Sequence, residues 1–206
     1  MGNSAKSLAG GVATLFVIPA LISYAIRARF IGADRALEGS TQALALVPGI
    51  LGQYVRRAFL ARVLAGCDAT AAICFGTTFS QVAARIDERV YVGPNCVLGH
   101  VHIERNALIA SGVQITSGAR THGVDDPTVA IRDQEGTRTL VRIGEGTWIG
   151  SSAVVMADVG RHSVIGAGSV VTKPIPDWVI AAGVPARVIR SRLPEDTLST
   201  ENVASS

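Results

Sequence analysis

The sequence predicts a mainly β fold in which short parallel strands wind into a triangular coil, a parallel β-helix. From residue 143 to residue 175 an aliphatic residue returns at six-residue steps, in two runs separated by one short step. These residues are Ile143, Ile149, Val155, Val159, Ile165 and Val171. An α-helix repeats every 3.6 residues, and all-β sandwiches turn every 8–12 residues, so neither produces this period.

The residues between the aliphatic positions fit the same coil. Glycine follows four of them, at Gly144, Gly150, Gly160 and Gly166, and suits a turn of positive φ or a close approach of backbones. A small residue four positions after an aliphatic one is expected to point inward at a corner, at Thr147, Ala153, Ser163 and Ser169. Aromatic residues make up only 5% of the chain, which suits a narrow interior filled by Val, Ile and Ala.

The same period extends back along the chain. It begins near Cys67 and Ile73, slips by one residue, and continues at Ile86, Val92, Leu98, Ile103, Ile109 and Ile115. Both parts together hold about 15 six-residue units, which is about five coils of about 18 residues each. We therefore expect one β-helix domain over residues 67–190.

Composition excludes some classes of function. The net charge is only +3, and no basic run is interleaved with aromatic residues, so we expect no nucleic acid partner. Cys67, Cys74 and Cys96 form no CxxC pair and no metal-ligand spacing, so we expect buried thiols in a reducing compartment and no metal. A Cys67–Cys74 disulfide is the alternative.

Residues 1–66 are predicted to be a helical segment that is both apolar and basic. Residues 8–26 carry no charge, which is long enough for a membrane-spanning helix, although Pro19 interrupts it. Six arginines follow, at Arg27, Arg29, Arg35, Arg56, Arg57 and Arg62. We expect this segment to meet an anionic membrane surface. The sequence leaves open whether residues 8–26 span the membrane, lie on it or avoid it, and the alternative is an ordinary solvated basic surface.

Two segments depart from the six-residue period. Residues 119–142 are polar and contain the turn signals D-D-P and D-Q-E-G, and an insertion of this kind can leave a coil without disturbing it. We predict that they form a protruding functional loop. After Val171, prolines and a glycine predict an extended wrap and then a short helix near residues 186–192. The polar tail, residues 191–206, is expected to be disordered.

Four motifs carry a resemblance to a known family. They are Thr121-His122 after a six-residue run, G-T-W-I-G-S at 146–151, I-G-A-G-S-V-V-T-K at 165–173 and A-A-G-V-P-A-R-V-I-R at 181–190. Together they resemble the hexapeptide-repeat acyltransferases, of the galactoside and maltose acetyltransferase and polysaccharide O-acetyltransferase types. The resemblance covers about residues 67–190 and not residues 1–66. It implies a left-handed coil, a homotrimer, and acetyl-CoA in a groove between neighbouring prisms.

The resemblance implies that His122 is the catalytic base. The chemistry agrees, because transfer of an acetyl group to a hydroxyl requires removal of the hydroxyl proton, and an imidazole does this well near neutral pH. Of the four histidines, only His122 lies in the insertion. Asp125 and Asp126 would orient the imidazole or hold the acceptor, and a plain turn-forming role for D-D-P is the alternative.

The resemblance also implies a set of donor-binding residues. Trp148 would line the groove near the thioester, and Lys173 and Arg190 would lie near the nucleotide end, with Arg187 as a weaker candidate. The remaining candidates match positions along the pantetheine chain: Ser151, Ala167, Gly168 and Thr172.

We therefore expect an acetyl-CoA-dependent O-acetyltransferase that modifies a sugar hydroxyl by direct transfer, in surface polysaccharide biosynthesis. The acceptor is expected to be lipid-linked, and the enzyme to be cytoplasmic and peripheral to, or anchored in, the inner face of the membrane. The alternatives are a catalytically inactive scaffold and a serine acetyltransferase-like enzyme. A γ-type carbonic anhydrase is disfavoured, because the positions four away from His122 are Gly118 and Asp126 and no histidine pair forms there.

Overall fold

Three helices precede the β-structure. A computed structural model describes residues 3–194, with side chains described from residue 15 onward. The helices are α1 (Asn3–Ile31), α2 (Ala33–Ala45) and α3 (Gly49–Val63). Of the tail predicted to be disordered, residues 195–206 lie outside the described residues.

Sixteen short strands follow the helices. The first nine are β1 (Gly66–Cys67), β2 (Ala72–Ile73), β3 (Thr78–Phe79), β4 (Arg85–Ile86), β5 (Tyr91–Val92), β6 (Val97–Leu98), β7 (Val101–Ile103), β8 (Leu108–Ile109) and β9 (Gln114–Ile115). The others are β10 (Val141–Ile143), β11 (Trp148–Ile149), β12 (Val154–Val155), β13 (Val164–Ile165), β14 (Val170–Val171), β15 (Val179–Gly183) and β16 (Ala186–Ser191).

These strands form three sheets, and each sheet is one face of a prism. Face one runs β1-β4-β7-β10 and continues through bridges at Val159 and Ile175, face two runs β2-β5-β8-β11-β13-β15-β16, and face three runs β3-β6-β9-β12-β14. Five complete coils are therefore followed by the beginning of a sixth. The predicted left-handed parallel β-helix of about five coils is confirmed.

The interior is filled as the period predicts. Every aliphatic residue of both runs is at most 2% exposed. The small inward residues close the corners, because Thr147 donates to the Gly160 carbonyl (2.6 Å) and Ser163 donates to the Pro176 carbonyl (2.7 Å). At Gly144 a Cβ would lie 2.5 Å from the Arg161 nitrogen of the next coil, so this glycine is required by close approach rather than by positive φ.

Helices α2 and α3 cover the open edge of the first coil. The hydroxyl of Thr41 accepts from the Phe79 N–H (3.1 Å), and the carboxylate of Asp34 accepts from the Val82 N–H (2.9 Å). The guanidinium of Arg56 donates to the Ile73 carbonyl (3.0 Å). Arg56 is buried, so its assignment to a basic surface was wrong. Its guanidinium instead supplies a hydrogen-bond donor to the open edge of the first coil.

The C-terminal segment is a strand and not the predicted helix. β16 pairs antiparallel with β15, so that the chain turns back at residues 183–186. The β-branched residues Val188 and Ile189 favour this strand over a helix, and the free edge of β15 offers it hydrogen-bond partners. That edge exists only in the folded chain, so local sequence could not predict the pairing.

The remaining predictions for the chain concern cysteines and the membrane. Cys74 and Cys96 are buried, Cys67 is half-buried, and all three are free thiols. Burial raises the pKa of the Cys67 thiol to about 12. Within the part of the chain whose side chains are described, no helix is long and apolar enough to cross a membrane. Residues 8–14 of the predicted apolar run lie outside that part.

Candidate active site

The loop that interrupts the coil is a narrow antiparallel ribbon at its base. It leaves after β9 and returns before β10. The Thr139 N–H donates to the Ser117 carbonyl (2.9 Å), and the Thr137 N–H donates to the Arg120 carbonyl (2.6 Å). A single 3₁₀ turn, Ile131–Asp133, is its only helical element. The loop is therefore held by its own backbone.

His122 lies where the two arms of this ribbon are closest. A Cβ on Gly136 would lie 2.2 Å from the Thr121 carbonyl group and 2.5 Å from the His122 nitrogen. A Cβ on Gly123 would lie 2.6 Å from the Glu135 carbonyl oxygen. The imidazole of His122 is exposed, and it makes no hydrogen bond with the described residues. The backbone of the ribbon therefore positions it.

The two aspartates beside His122 differ in their surroundings. The carboxylate of Asp126 accepts from both the N–H (2.8 Å) and the hydroxyl (2.6 Å) of Thr128. The hydrogen bond from the Thr128 hydroxyl is the largest of the effects that hold the pKa of Asp126 below its usual range. Gln134 crosses the loop and donates to the Asp126 carbonyl (2.8 Å). This geometry favours the turn-forming role for Asp126, whereas Asp125 makes no hydrogen bond within the described chain.

Two clefts flank the base of the loop. The larger, about 620 Å³, lies between the start of α2, the outer side of face three and the ribbon. Its lining mixes apolar with polar and charged residues, and the latter include Asp34, Arg35, Glu38, Gln114, Thr121 and Arg138. The second, about 500 Å³, lies on the other side of the ribbon and extends to Met156 and Pro174. His122 directly follows a residue that lines the larger cleft.

An outward row of side chains crosses face two and contains two of the predicted donor-binding residues. Trp148 pairs in register with Val164, Val164 with Ile180, and Ile180 with Arg190. Three strand spacings of about 4.8 Å separate the backbone positions of Trp148 and Arg190, which is about 14 Å. An exposed aromatic residue therefore stands at one end of the row and a cation at the other.

The corner beside this row holds three further candidates. The Gly168 N–H donates to the Ser151 carbonyl (2.8 Å), which stacks the turn containing Ala167 on the turn of the preceding coil. Around Gly168, at φ +66°, a Cβ would meet nothing within 4 Å, so the corner is open on its outer side. Thr172 and Lys173 are exposed after β14 at the next corner, and Arg187 is exposed at the start of β16.

The predicted residues thus form two groups in one chain. His122, Asp125 and Asp126 lie on the loop after the third coil, and the donor-binding candidates lie on the fourth to sixth coils. Sequence reasoning missed Gly136, which fixes His122, and the helical acids Asp34 and Glu38, which line the larger cleft. These residues could be found only from the folded structure, which shows what they lie close to.

Two of the other three histidines have side-chain partners on the coil. His102 pairs with Asp87 (3.0 Å), and His162 stacks on Trp178 with ring centroids 4.2 Å apart. The backbone N–H of His100 donates to the Ser117 hydroxyl (2.9 Å). Among the described residues, no cluster of three or more histidines, cysteines or acids is arranged to hold a metal ion.

Comparison with known proteins finds hexapeptide-repeat transferases. Residues 141–173 match the family model described as bacterial transferase hexapeptide (six repeats), and residues 84–117 match the hexapeptide repeat of succinyl-transferase. The crystal structure of a galactoside acetyltransferase in complex with coenzyme A is similar, with a TM-score of 0.60, 28% identity, and coverage of 80% of this chain and 83% of that one.

Two bacterial relatives extend the likeness. A Mycobacterium tuberculosis protein assigned as an acetyltransferase is 44% identical over 113 residues, which are 52% of this chain and only 37% of that longer relative. A Staphylococcus aureus protein, also assigned as an acetyltransferase, is 34% identical over 145 residues, covering 63% of this chain and 73% of the relative. With a six-residue period, a prism of stacked parallel coils and a relative matched over most of its length, the chain belongs to the family of hexapeptide-repeat acetyltransferases.

Proposed function

We propose that the protein transfers an acetyl group from acetyl-CoA to a sugar hydroxyl, with His122 as the general base. The observation that carries this proposal is the exposed imidazole of His122. This residue lies on a ribbon whose two arms are in close contact at glycines, and it directly follows Thr121, which lines the larger cleft. Transfer is direct, in a ternary complex, and needs no covalent intermediate on the protein.

The base removes the hydroxyl proton as the acceptor oxygen attacks the thioester carbonyl. The carbonyl oxygen then gains negative charge, which backbone N–H groups or water stabilise. Collapse of this species releases the thiolate of CoA, and the protonated imidazole can return the proton to it. A general base of this kind contributes about 10²–10⁴-fold to the rate.

The donor is proposed to lie along the row from Trp148 to Arg190. Trp148 would contact the pantetheine near the thioester, beside the open corner formed by Ser151, Ala167 and Gly168. The guanidinium of Arg190, with Lys173 and Arg187, would attract the phosphates of the nucleotide. The coenzyme A in the related galactoside acetyltransferase supports a CoA donor.

The acceptor is proposed to be a sugar, bound in the larger cleft. Its carboxylates, amides and hydroxyls offer both donors and acceptors of hydrogen bonds, which suits a polyhydroxyl ligand better than an apolar one. The galactoside named for the related enzyme supports this class. A role in surface polysaccharide biosynthesis and a lipid-linked acceptor are the finer parts of the proposal.

The protein is also proposed to be a homotrimer that works at the cytoplasmic face of a membrane. The outer side of face two carries a continuous apolar row, Ala72, Tyr91, Leu108, Trp148, Val164 and Ile180, of which Tyr91, Leu108 and Trp148 are strongly exposed. Such a row supports burial against a neighbouring prism. Three free cysteines suit a reducing compartment.

The first test needs no knowledge of the acceptor. Acetyl-CoA at about 100 times its Kd should stabilise the fold by about 2.7 kcal/mol and raise the unfolding midpoint by about 5 °C or more. With a panel of sugars, His122→Ala should lower turnover by at least about 10²-fold and leave this thermal shift nearly unchanged. Full turnover in that variant would refute the assignment of the base. No shift with any acyl-CoA would favour an inactive scaffold.

A further inference from the structure

The outward side of α1 is an apolar stripe without a partner in the described chain. Its side chains are Leu15, Phe16, Ile22, Ile26 and Phe30, which are between 55% and 83% exposed. With 3.6 residues per turn, these five positions fall on one side of the helix, over a length of about 22 Å. A monomeric soluble protein rarely exposes a continuous apolar stripe of this length.

The opposite side of α1 is already used for packing. Val17 is fully buried, and Tyr24 meets Phe59 of α3 edge to face, with ring centroids 5.9 Å apart. The helix therefore cannot turn its apolar stripe inward without giving up its contacts with α2 and α3. Among the described residues, none covers the stripe.

The charges around the stripe fit an anionic bilayer. No described residue from 15 to 26 is charged, and the exposed Arg29 and Arg35 lie at the carboxyl end of α1 and the start of α2. Neither arginine makes an ion pair or hydrogen bond with the described residues, so both are available to phosphate head groups. An apolar helix side bordered by arginines suits a helix that lies in the plane of an anionic membrane surface.

The stripe leads directly to the larger cleft. Phe30 is its last member, and the next residue, Ile31, begins the lining of the cleft, followed by Asp34 and Arg35. A helix lying on the bilayer would therefore hold the mouth of the cleft at the level of the head groups. A sugar attached to a membrane lipid would reach the cleft while its lipid stays in the bilayer.

We propose that the outward side of α1 docks on an anionic bilayer and so presents the cleft to an acceptor anchored in that bilayer. The second part rests on the proposed function, because it takes the cleft as the acceptor site. The first part does not depend on catalysis, and the two can be measured separately.

The test is cosedimentation of the full chain with vesicles of phosphatidylcholine and phosphatidylglycerol in equal parts, against vesicles of phosphatidylcholine alone. The wild-type chain should bind the mixed vesicles more tightly. Ile22→Ser with Ile26→Ser should weaken that binding by about tenfold or more, because two apolar side chains no longer enter the bilayer. Arg29→Gln should weaken it by about fivefold on the mixed vesicles only.

A matched control removes a comparable apolar surface elsewhere. Val129 and Ile131, on the protruding loop, are 40% and 58% exposed, so Val129→Ser with Ile131→Ser should leave vesicle binding unchanged. Equal binding by the wild-type chain and the α1 double variant would overturn the proposal. So would a wild-type chain that binds neither vesicle, or an α1 double variant that changes the mass of the assembly in solution, since the stripe would then cover a second copy.

Acetyl transfer to a soluble sugar, measured on the same preparations, separates the two proposals. Transfer without vesicle binding would refute the docking surface and leave intact the proposed transfer of acetyl from acetyl-CoA to a sugar. Vesicle binding without acetyl transfer to any sugar, soluble or lipid-linked, would refute that transfer and leave the docking surface intact.

Discussion

At the scale of single residues, backbone contacts determine where His122, the proposed base, lies. The imidazole of His122 has no hydrogen-bond partner among the described side chains, whereas its own peptide group is in close contact with Gly136. The imidazole therefore depends on the shape of the ribbon rather than on a carboxylate that orients it. Changes in that shape should affect catalysis even where they leave His122 itself in place.

Gly136→Ala tests this dependence. The added methyl group would lie within 2.5 Å of backbone atoms of Thr121 and His122, which cannot move as a flexible side chain would. The two arms of the ribbon must separate, so we expect turnover to fall by at least about tenfold, because misplacement of a catalytic group by about 1 Å can cost 10²-fold. Affinity for acetyl-CoA, measured by calorimetry, should stay within about twofold, since the donor residues lie on later coils.

Gly66→Ala is the matched control for that substitution. Gly66 lies in β1, where a Cβ would make an ordinary contact, 3.6 Å, with the side chain of Arg85. Turnover of this variant should equal that of the wild-type enzyme. Equal turnover in Gly136→Ala as well would show that the ribbon does not position the base.

At the scale of elements, the stability of the turn at the tip of the loop should depend on pH. Hydrogen bonds from Thr128 lower the pKa of Asp126 in the folded protein relative to an unfolded chain. The stabilisation that this turn contributes is therefore fully present when the pH is above the pKa of Asp126 in the unfolded chain. It is lost as the pH falls through the lowered pKa of the folded protein. A carbon-detected NMR titration of the Asp126 carboxyl should show the lowered pKa, and Thr128→Val should move it back toward the ordinary value. An unchanged titration would contradict the turn.

The elements also show what a sequence can and cannot predict. The six-residue period predicted the coil because each aliphatic residue contacts its own counterpart one coil away, so the signal repeats along the chain. The last strand was mistaken for a helix because its partner, the edge of β15, is a tertiary feature. Arg56 was assigned to the surface for the same reason: nothing local shows that its guanidinium reaches the carbonyl of Ile73.

The same distinction holds for the candidate site. His122 and Trp148 lie in motifs that are continuous in sequence, so sequence alone could name both as candidates. The cleft could not, because its lining joins Asp34 and Glu38 of a helix to Thr121 and Arg138 of the loop. Only the packing of α2 on the coil brings these residues together.

At the scale of the whole molecule, we expect the apolar row on face two to join three chains. Leu108 lies in that row between Tyr91 and Trp148. Leu108→Asp would place a carboxylate in a dry interface, which costs several kcal/mol, so light scattering should show monomers in place of trimers. Because the donor groove is proposed to lie between prisms, acetyl transfer should fall with the mass.

An exposed leucine elsewhere provides the control for this substitution. Leu46, which follows α2, is 72% exposed and lies outside the row, so Leu46→Asp should leave the mass of the assembly unchanged. A wild-type chain that is monomeric, or a Leu108→Asp variant with wild-type mass, would contradict a trimer built on face two.

The two ends of the coil limit how copies of this chain can associate. At the first coil, Thr41, Asp34 and Arg56 already occupy backbone groups that a further strand would need. At the far end of face two, β16 runs against the direction of the sheet, so a parallel strand from another copy meets the wrong pattern of donors and acceptors. Both features disfavour end-to-end stacking of copies and leave the sides of the prism as the surfaces for association. That arrangement favours closed rings of fixed size and protects a strand-rich protein from growing into fibres.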